Sequence, residues 1–471
     1  MLGKNSAGFE EGIGEPGFKN RFGFLYLYFF ILLPPFAGLS PQGQRVVAVV
    51  FAAIILWATE ALPVGVSSLL VLILLGVTKS VHSVQDLFQG FLSPILYFFV
   101  GVMAMGAAIV KSGLAQRAAR VFLRGARGNT KRLLANCLLS LPPMALILPS
   151  AITRNAILLP AYQETFSGLK LHREDGLVKS IVLTLGLLNP FASSALMTGG
   201  LAPMTTSTLL GGFTWWRWFF LMSVPYYTLL VLGGLWTYWI NPSPPRSFDY
   251  RSLDKSPSFS REEIRVILIL VFTTLLWFTD FWHGLHPAIP ALIAVVLLAS
   301  PWTGIFSWKE LEKAIPWSTF FVLGASLSLA QALISTGAAA WFVKSFSHSV
   351  GRLQGFDWAV ILMLILMVSI VHLGIANMSA CIALLIPITT TLATSLKMNP
   401  IVFGLIVGIV VDAVILYPVQ TATNLLAYET GLIGGKDVLK VGLGLLVLTA
   451  LVILFIALPW WSFLGLPLAC K

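Results

Sequence analysis

From Val441 to Trp461 the chain reads VGLGLLVLTALVILFIALPWW, and no charged side chain interrupts it. A helix needs roughly 20 apolar residues to cross the ~30 Å of hydrocarbon in a bilayer. In that medium every backbone amide and carbonyl must find its partner inside the protein, so only helices or closed barrels span it. Apolar runs recur along most of the sequence and are continuous, not alternating, which selects helices over a barrel. Charged residues make up only 10% of the chain, against roughly 25% in soluble domains. The expected fold class is an all-α polytopic membrane protein, with the lipid bilayer as its surroundings.

The formal charge of +11 does not point to a nucleic-acid partner. The basic residues fall in short loops between apolar runs, as the positive-inside rule places them on cytoplasmic loops. Cys137, Cys381 and Cys470 are too dispersed for a disulfide framework or a metal site. No catalytic triad, metal-ligand spacing or phosphate loop stands out, so neither an enzyme nor a resident cofactor is expected. Residues 1–21 carry no cleavable signal pattern. They are expected as a cytoplasmic N-terminal segment, with a first transmembrane helix over 22–40, in a bacterial inner membrane.

A polar linker, 241–265, divides the chain into two halves, 41–240 and 266–471. LWATE around Trp57 is answered by LWFTD around Trp277, 220 residues later. Phe99-Val100 leads to Ser112-Gly113 as Phe321-Val322 leads to Thr336-Gly337, and ILLP ending at Pro160 is matched by LLIP ending at Pro387, 227 later. Offsets this close mark an internal repeat, a feature of many secondary transporters. The stretch Gln116–Arg132 is strongly basic, whereas the segment after Gly337 has only Lys344 and Arg352 before Phe356. One related segment inside and the other outside makes the repeat inverted.

In each half a short apolar arm runs into a polar break and a second arm follows. These are expected as re-entrant helical hairpins over 133–168 and 357–395, with tips at Pro149–Thr153 and Gly374–Ser379 and arms too short to cross the membrane. Broken transmembrane helices are expected at 178–212 and 400–432, interrupted around Thr198–Thr208 and Tyr417–Asn424. Irregular backbone at membrane depth is tolerated only where it lines a cavity, so these four segments are where a substrate site should lie.

At these residues the chain resembles the divalent anion:sodium symporter family, whose members carry dicarboxylates, citrate or sulfate. FFVGVMAMGAAIVKSGLAQR and FFVLGASLSLAQALISTG look like the family's helices ahead of each hairpin, LWATEALPVG like its early signature, and YPVQTATNLLAYETGLIGGKDVLKVGL like its last broken helix and the start of its final one. The likeness covers roughly 45–465. It implies a carrier working by alternating access as a homodimer, with sodium and substrate held at Ser-Asn-Thr tips. This chain departs there: the first tip has Ser150-Ala151-Ile152, the second Asn377-Met378-Ser379, and Met204 stands where an asparagine is expected, while Thr421 and Asn424 are kept.

The candidate residues follow. Arg154 sits just past the first tip, where an arginine costs on the order of 2.5–3.5 kcal/mol to insert and so faces a cavity or a partner. Either it supplies a fixed charge in place of bound sodium and pairs with an anion, or it forms an ion pair with Glu60 or Asp412. Asp412, in an apolar run, is a proton carrier or that partner. His372 is a titrating group or a packed one. Substrate ligands are expected among Ser150, Thr153, Arg154, Asn155, Thr198, Thr205, Asn377, Ser379, Thr421 and Asn424. Coupling-ion groups are expected among Asp412, His372, Ser150, Asn377 and Thr423, the ion being sodium or a proton. Hydroxyls in such helices also bond back to the preceding turn. Trp215, Trp216 and Trp218 read as interfacial anchors, Gly106 and Gly113 as helix-packing positions. The function expected is secondary transport of a small anion, without sodium if Arg154 replaces the cation. Sodium-coupled symport through the remaining ligands, or cation/proton antiport at Asp412, are the alternatives.

Overall fold

The computed structural model describes residues 36, 38–59, 61–125, 129–148, 150–168, 170–244, 258–351, 355–375 and 377–469. The segment 1–21, nearly all of the helix expected over 22–40, Glu60, Cys470 and the middle of the 241–265 linker lie outside them. Among the described residues the chain is helical, with one isolated bridge and no strand. Seven helices among the described residues are long and apolar enough to cross a membrane.

In the first half, α1 (Pro41–Thr59) and α2 (Val64–Val77) precede α3 (Pro94–Ser112) and the amphipathic α4 (Leu114–Gly125). Then come a helix pair, α5 (Thr130–Ile147) and α6 (Ala151–Gly168), an interrupted helix, α7 (Gly176–Ser194) and α8 (Leu201–Leu209), and α9 (Trp215–Ile240). The second half runs α10 (Arg261–Phe278), α11 (Ala288–Ala299), α12 (Trp317–Ser335) and α13 (Ala338–Gly351). The pair α14 (Asp357–Gly374) and α15 (Met378–Ser395), the interrupted α16 (Pro400–Ala413) and α17 (Ala422–Glu429), and α18 (Gly435–Phe463) complete it.

The helix boundaries have local causes. Pro94 opens α3 at a position where a missing amide costs nothing, and Gly113 closes it at φ +84°. No atom lies within 4 Å of where a Cβ on Gly113 would sit, so that glycine serves a left-handed turn, correcting its expected packing role. The close helix contact is instead at Gly101, where an added Cβ would lie 2.5 Å from the Ala291 methyl on α11. The paired helices α5, α6, α14 and α15 are each 18 residues long, about 27 Å at 1.5 Å per residue. For α14 and α15 that is long and apolar enough to cross a membrane, so the expectation of arms too short to cross is corrected there.

The interruptions also follow from sequence. Residues Thr184–Leu188 widen into a π turn directly ahead of Asn189-Pro190, where proline removes a ladder donor. In the second half α16 ends at Ala413 and the chain is irregular until Thr421. Gln420 folds back over that stretch, accepting from the Leu416 amide at 2.7 Å and donating to the Val414 carbonyl at 2.8 Å. Asn424 donates to the Tyr417 and Pro418 carbonyls, both at 3.1 Å. These two side chains satisfy backbone groups that the break in the helix leaves without their ladder partners. The helix pairs then close around the breaks: α15 packs on α16 and α8, and α6 on α17.

Candidate functional site

A cavity of about 270 Å³ lies where the two helix pairs meet the two interruptions. That is small beside the ~300–1,000 Å³ typical of ligand pockets. Its wall includes Ser150, Gly200, Asn377 and Thr421, the residues immediately ahead of α6, α8, α15 and α17. Four helix N-termini therefore converge on one space. Each carries roughly half a positive charge in its unpaired amides, on the order of two charges in all, and such termini are ready-made anion sites. Ser150 Oγ accepts from the Thr153 amide at 3.2 Å, and Asn377 Oδ1 from Ala380 at 2.9 Å. Thr421 Oγ1 caps α17 through the Asn424 amide and lies 3.2 Å from Thr423 Oγ1. The remaining wall comes from α3 (Phe99, Val102, Met103), α7 (Pro190, Ser193, Ser194), Pro316 and Thr319.

Of the residues singled out in sequence, Ser150, Asn377, Ser379, Thr421, Thr423 and Asp412 line this cavity. Thr153, Arg154, Asn155, Thr198, Thr205, Asn424 and His372 do not. Thr153 faces Gly106, and Thr198 accepts from the indole of Trp215 at 3.2 Å. Thr205 is fully buried with its hydroxyl unpaired. His372 is buried in the last turn of α14, Nδ1 3.1 Å from the Ile375 carbonyl and Nε2 without a hydrogen-bond partner. Trp215 and Trp218 are buried inside the protein, and Trp218 donates to the Ser194 carbonyl at 3.1 Å. Their expected place at the lipid interface is corrected: the same residue type serves as an internal wedge against the first interruption.

Arg154 meets no carboxylate among the described residues, and Glu60 is outside them. Its guanidinium is fully buried and donates to four neutral oxygens: Asn189 Oδ1 at 2.8 Å, the Leu148 carbonyl at 2.5 Å, the Asn189 carbonyl at 3.1 Å, and Ser193 Oγ. Leu148 follows the last residue of α5, so its carbonyl belongs to the negative end of that helix. Asn189 Nδ2 donates in turn to the Ala151 carbonyl at 3.0 Å and Asn155 Oδ1 at 2.6 Å. Asn155 Nδ2 reaches the Leu185 carbonyl at 2.8 Å and Thr423 at 3.1 Å. One buried network thus runs from the first tip through the first break to the second.

Asp412 is the one charged residue on the cavity wall. It is 1% exposed and stands in the last turn of α16, the unfavourable end of a helix for a carboxylate. Its Oδ2 accepts from the Tyr226 hydroxyl at 2.7 Å, the Ser194 hydroxyl lies beside the carboxyl, and its Oδ1 has no hydrogen bond of ordinary length. Asn189, Ser193, Ser194 and Tyr226 were missed in the sequence reading. Only Asn189 carried a signal: an Asn-Pro step inside an apolar run marks a helix break.

Comparison with known proteins agrees with this architecture. The family model described as the sodium:sulfate symporter transmembrane region matches residues 22–467. A sodium-dependent dicarboxylate transporter of Staphylococcus saprophyticus is 22% identical over 92% of this chain and 88% of its own. An L-tartrate/succinate antiporter of Escherichia coli K12 is 25% identical over 78% of each chain. A putative malate transporter of Bacillus subtilis is 23% identical over 70% of this chain and 71% of its own.

Proposed function

The chain belongs to the sodium:sulfate symporter transmembrane family, a family of membrane transporters and not of enzymes, and we propose that it carries a small dianion with Arg154 as a built-in cation. The substrate class is a short dicarboxylate, the class named for its malate, dicarboxylate and tartrate/succinate relatives, with sulfate as the inorganic option. The four helix N-termini hold the anion, and Ser150, Asn377, Ser379, Thr421 and Thr423 supply hydroxyl and amide contacts. The observation that carries the reading is the cage around Arg154. Neutral carbonyl, amide and hydroxyl oxygens are the ligands a hard metal cation takes, and here a guanidinium occupies them. Ser193 belongs to both the cage and the cavity wall, so the fixed charge stands directly behind the anion site.

The proposal includes an inverted relation between the halves, a homodimer with its N-terminus inside, and a bacterial inner membrane. The basic run Gln116–Arg132 supports the orientation, and the family resemblance supports the dimer. Each protomer moves the helix pairs and interrupted helices against a scaffold of the remaining helices. A second reading, sodium coupling through the other half, is favoured by Asn377, Thr421 and Thr423 on the cavity wall.

The test is uptake of labelled succinate, malate, tartrate and sulfate into proteoliposomes, with sodium or with choline. Saturable uptake in choline is expected. Uptake that strictly requires sodium overturns the role of Arg154 and selects the second reading. Proton-driven cation flux without any anion selects a cation/proton antiporter at Asp412.

A further inference from the structure

We propose that Asp412 binds and releases a proton in step with the anion, making the carrier a proton-coupled one. This rests on the anion-carrier reading above and adds the coupling ion to it. Asp412 is nine-tenths buried and more, yet one of its oxygens is unpartnered in the same cavity the anion would fill. An ionised carboxylate there would repel a dianion at close range, in surroundings where water screens little. A protonated one does the opposite, because its hydroxyl becomes a donor and the anion oxygens are acceptors. The Tyr226 hydroxyl, bonded to the other oxygen, fixes the carboxyl so that its free oxygen is the one presented.

The groups around Asp412 leave it the task. Tyr226 reaches it from α9 and the Ser194 hydroxyl from α7. From α14, His372 lies with the Val411 backbone beside its ring, and α15 contributes only Cys381. The interrupted helix α7–α8 has Lys179 as its only charged residue, at its far end and paired there with Glu174 and Asp437. The charges of α18, Lys436, Asp437 and Lys440, sit in its first two turns. Arg154 is engaged by Asn189 and Ser193. No cation among the described residues pairs with Asp412, so a proton is what neutralises it.

The repeat relation sharpens the point. Asn189 and Asp412 are 223 residues apart, within the 220–227 offset of the two halves. Asn189 follows the π turn of α7, five residues before that helix ends at Ser194, and Asp412 stands in the last turn of α16. In the first half this position holds an amide that clasps a permanent cation. In the second it holds an acid with no cation, free to exchange a proton. On the proton-rich side Asp412 takes up a proton as the anion enters. On the other side the anion leaves, and the proton follows it.

The experiment uses the full-length protein with sulfate and tartrate, dianions that do not themselves titrate between roughly pH 5 and 8. Affinity is read by calorimetry and proton movement by a pH-sensitive dye trapped in proteoliposomes. In the wild type the affinity is expected to fall as pH rises, approaching about tenfold per pH unit, and anion uptake is expected to acidify the lumen. Asp412→Asn, which mimics the protonated acid, is expected to bind the anion with a flat pH profile and to move no protons. Tyr226→Phe removes a donor to the ionised form and shifts the wild-type profile to higher pH, which serves if Asp412→Asn does not fold. Uptake without lumen acidification, or an unshifted profile in both variants, overturns the proposal while leaving the anion reading intact. Absence of anion binding in the wild type at every pH brings down the anion reading itself.

Discussion

The two halves share a plan of helices and differ in the chemistry placed on it. Each has a 19-residue helix ending at Ser-Gly or Ser-Thr-Gly, an amphipathic helix, a pair of 18-residue helices and an interrupted helix. In the first half the polar side chains at tip and break turn on one another. Arg154, Asn189 and Asn155 bond among themselves and to backbone, and leave Ser150, Ser193 and Ser194 on the cavity. In the second half Asn377, Ser379, Thr421, Thr423 and Asp412 all face it. A fixed charge needs a rigid, fully satisfied cage, because an unmet donor on a buried guanidinium is costly. A group that must exchange its partner during a cycle cannot be so enclosed.

The largest expected effect comes from removing the fixed charge. Arg154→Ala leaves four neutral oxygens around a void and is expected to abolish transport, with stability lost on the order of 3 kcal/mol. It should also create a vacancy of oxygens suited to a cation. Thermal unfolding in sodium against choline checks this. Sodium is expected to raise the midpoint of Arg154→Ala and not that of the wild type. A sodium effect of equal size in the wild type and the variant would place any cation site in the other half.

A smaller effect tests how the second half keeps its irregular backbone. Gln420→Ala orphans the Leu416 amide and the Val414 carbonyl, and is expected to cost about 1–3 kcal/mol in unfolding measurements. Asn377→Ala and Ser150→Ala each remove a helix cap, about 1 kcal/mol, and both weaken the anion. If the second half is the binding half, Asn377→Ala raises Kd by about tenfold and Ser150→Ala by less. Equal losses would mean the anion sits midway between the two tips, with no bias to either half.

What the sequence made legible follows from how far apart the interacting residues are. The membrane class was readable because run length is a local property, and Asn377 and Thr421 stood out as polar residues at breaks in apolar runs. The clasp on Arg154 was not readable: Asn189 is 35 residues away and Ser193 39, so only the fold brings them together. The tryptophans failed for a different reason. An indole needs one acceptor and a large apolar contact, and both the lipid interface and the Thr198–Ser194 region offer that, so pattern alone does not distinguish them. Gly113 likewise reads the same in a helix contact and in a left-handed turn.

The smallest effect concerns the join between the halves. Arg117, on α4 of the first half, grips Glu263 in the first turn of α10 through two bonds of 2.8 and 2.9 Å, with the Phe259 ring 4.1 Å from the guanidinium. Arg117 and the Ser260 backbone amide hold the Glu263 carboxyl below the usual carboxylate range. A carboxylate so depressed stabilises the fold at pH values above its unfolded pKa of about 4.3. That contribution disappears as pH falls through the lower, folded value. Both side chains are covered mainly by one another and by the Phe259 ring, not by deep packing, so Arg117→Ala is expected to cost about 1 kcal/mol at neutral pH. In a pH series of unfolding midpoints the gap between wild type and variant should narrow on acidification below about pH 4. It should not close, because the Phe259 contact and the bond to the Ser258 carbonyl do not depend on Glu263. A gap that closes completely would mean the charge pair alone joins the halves, and a gap indifferent to pH would mean that the ring and carbonyl do.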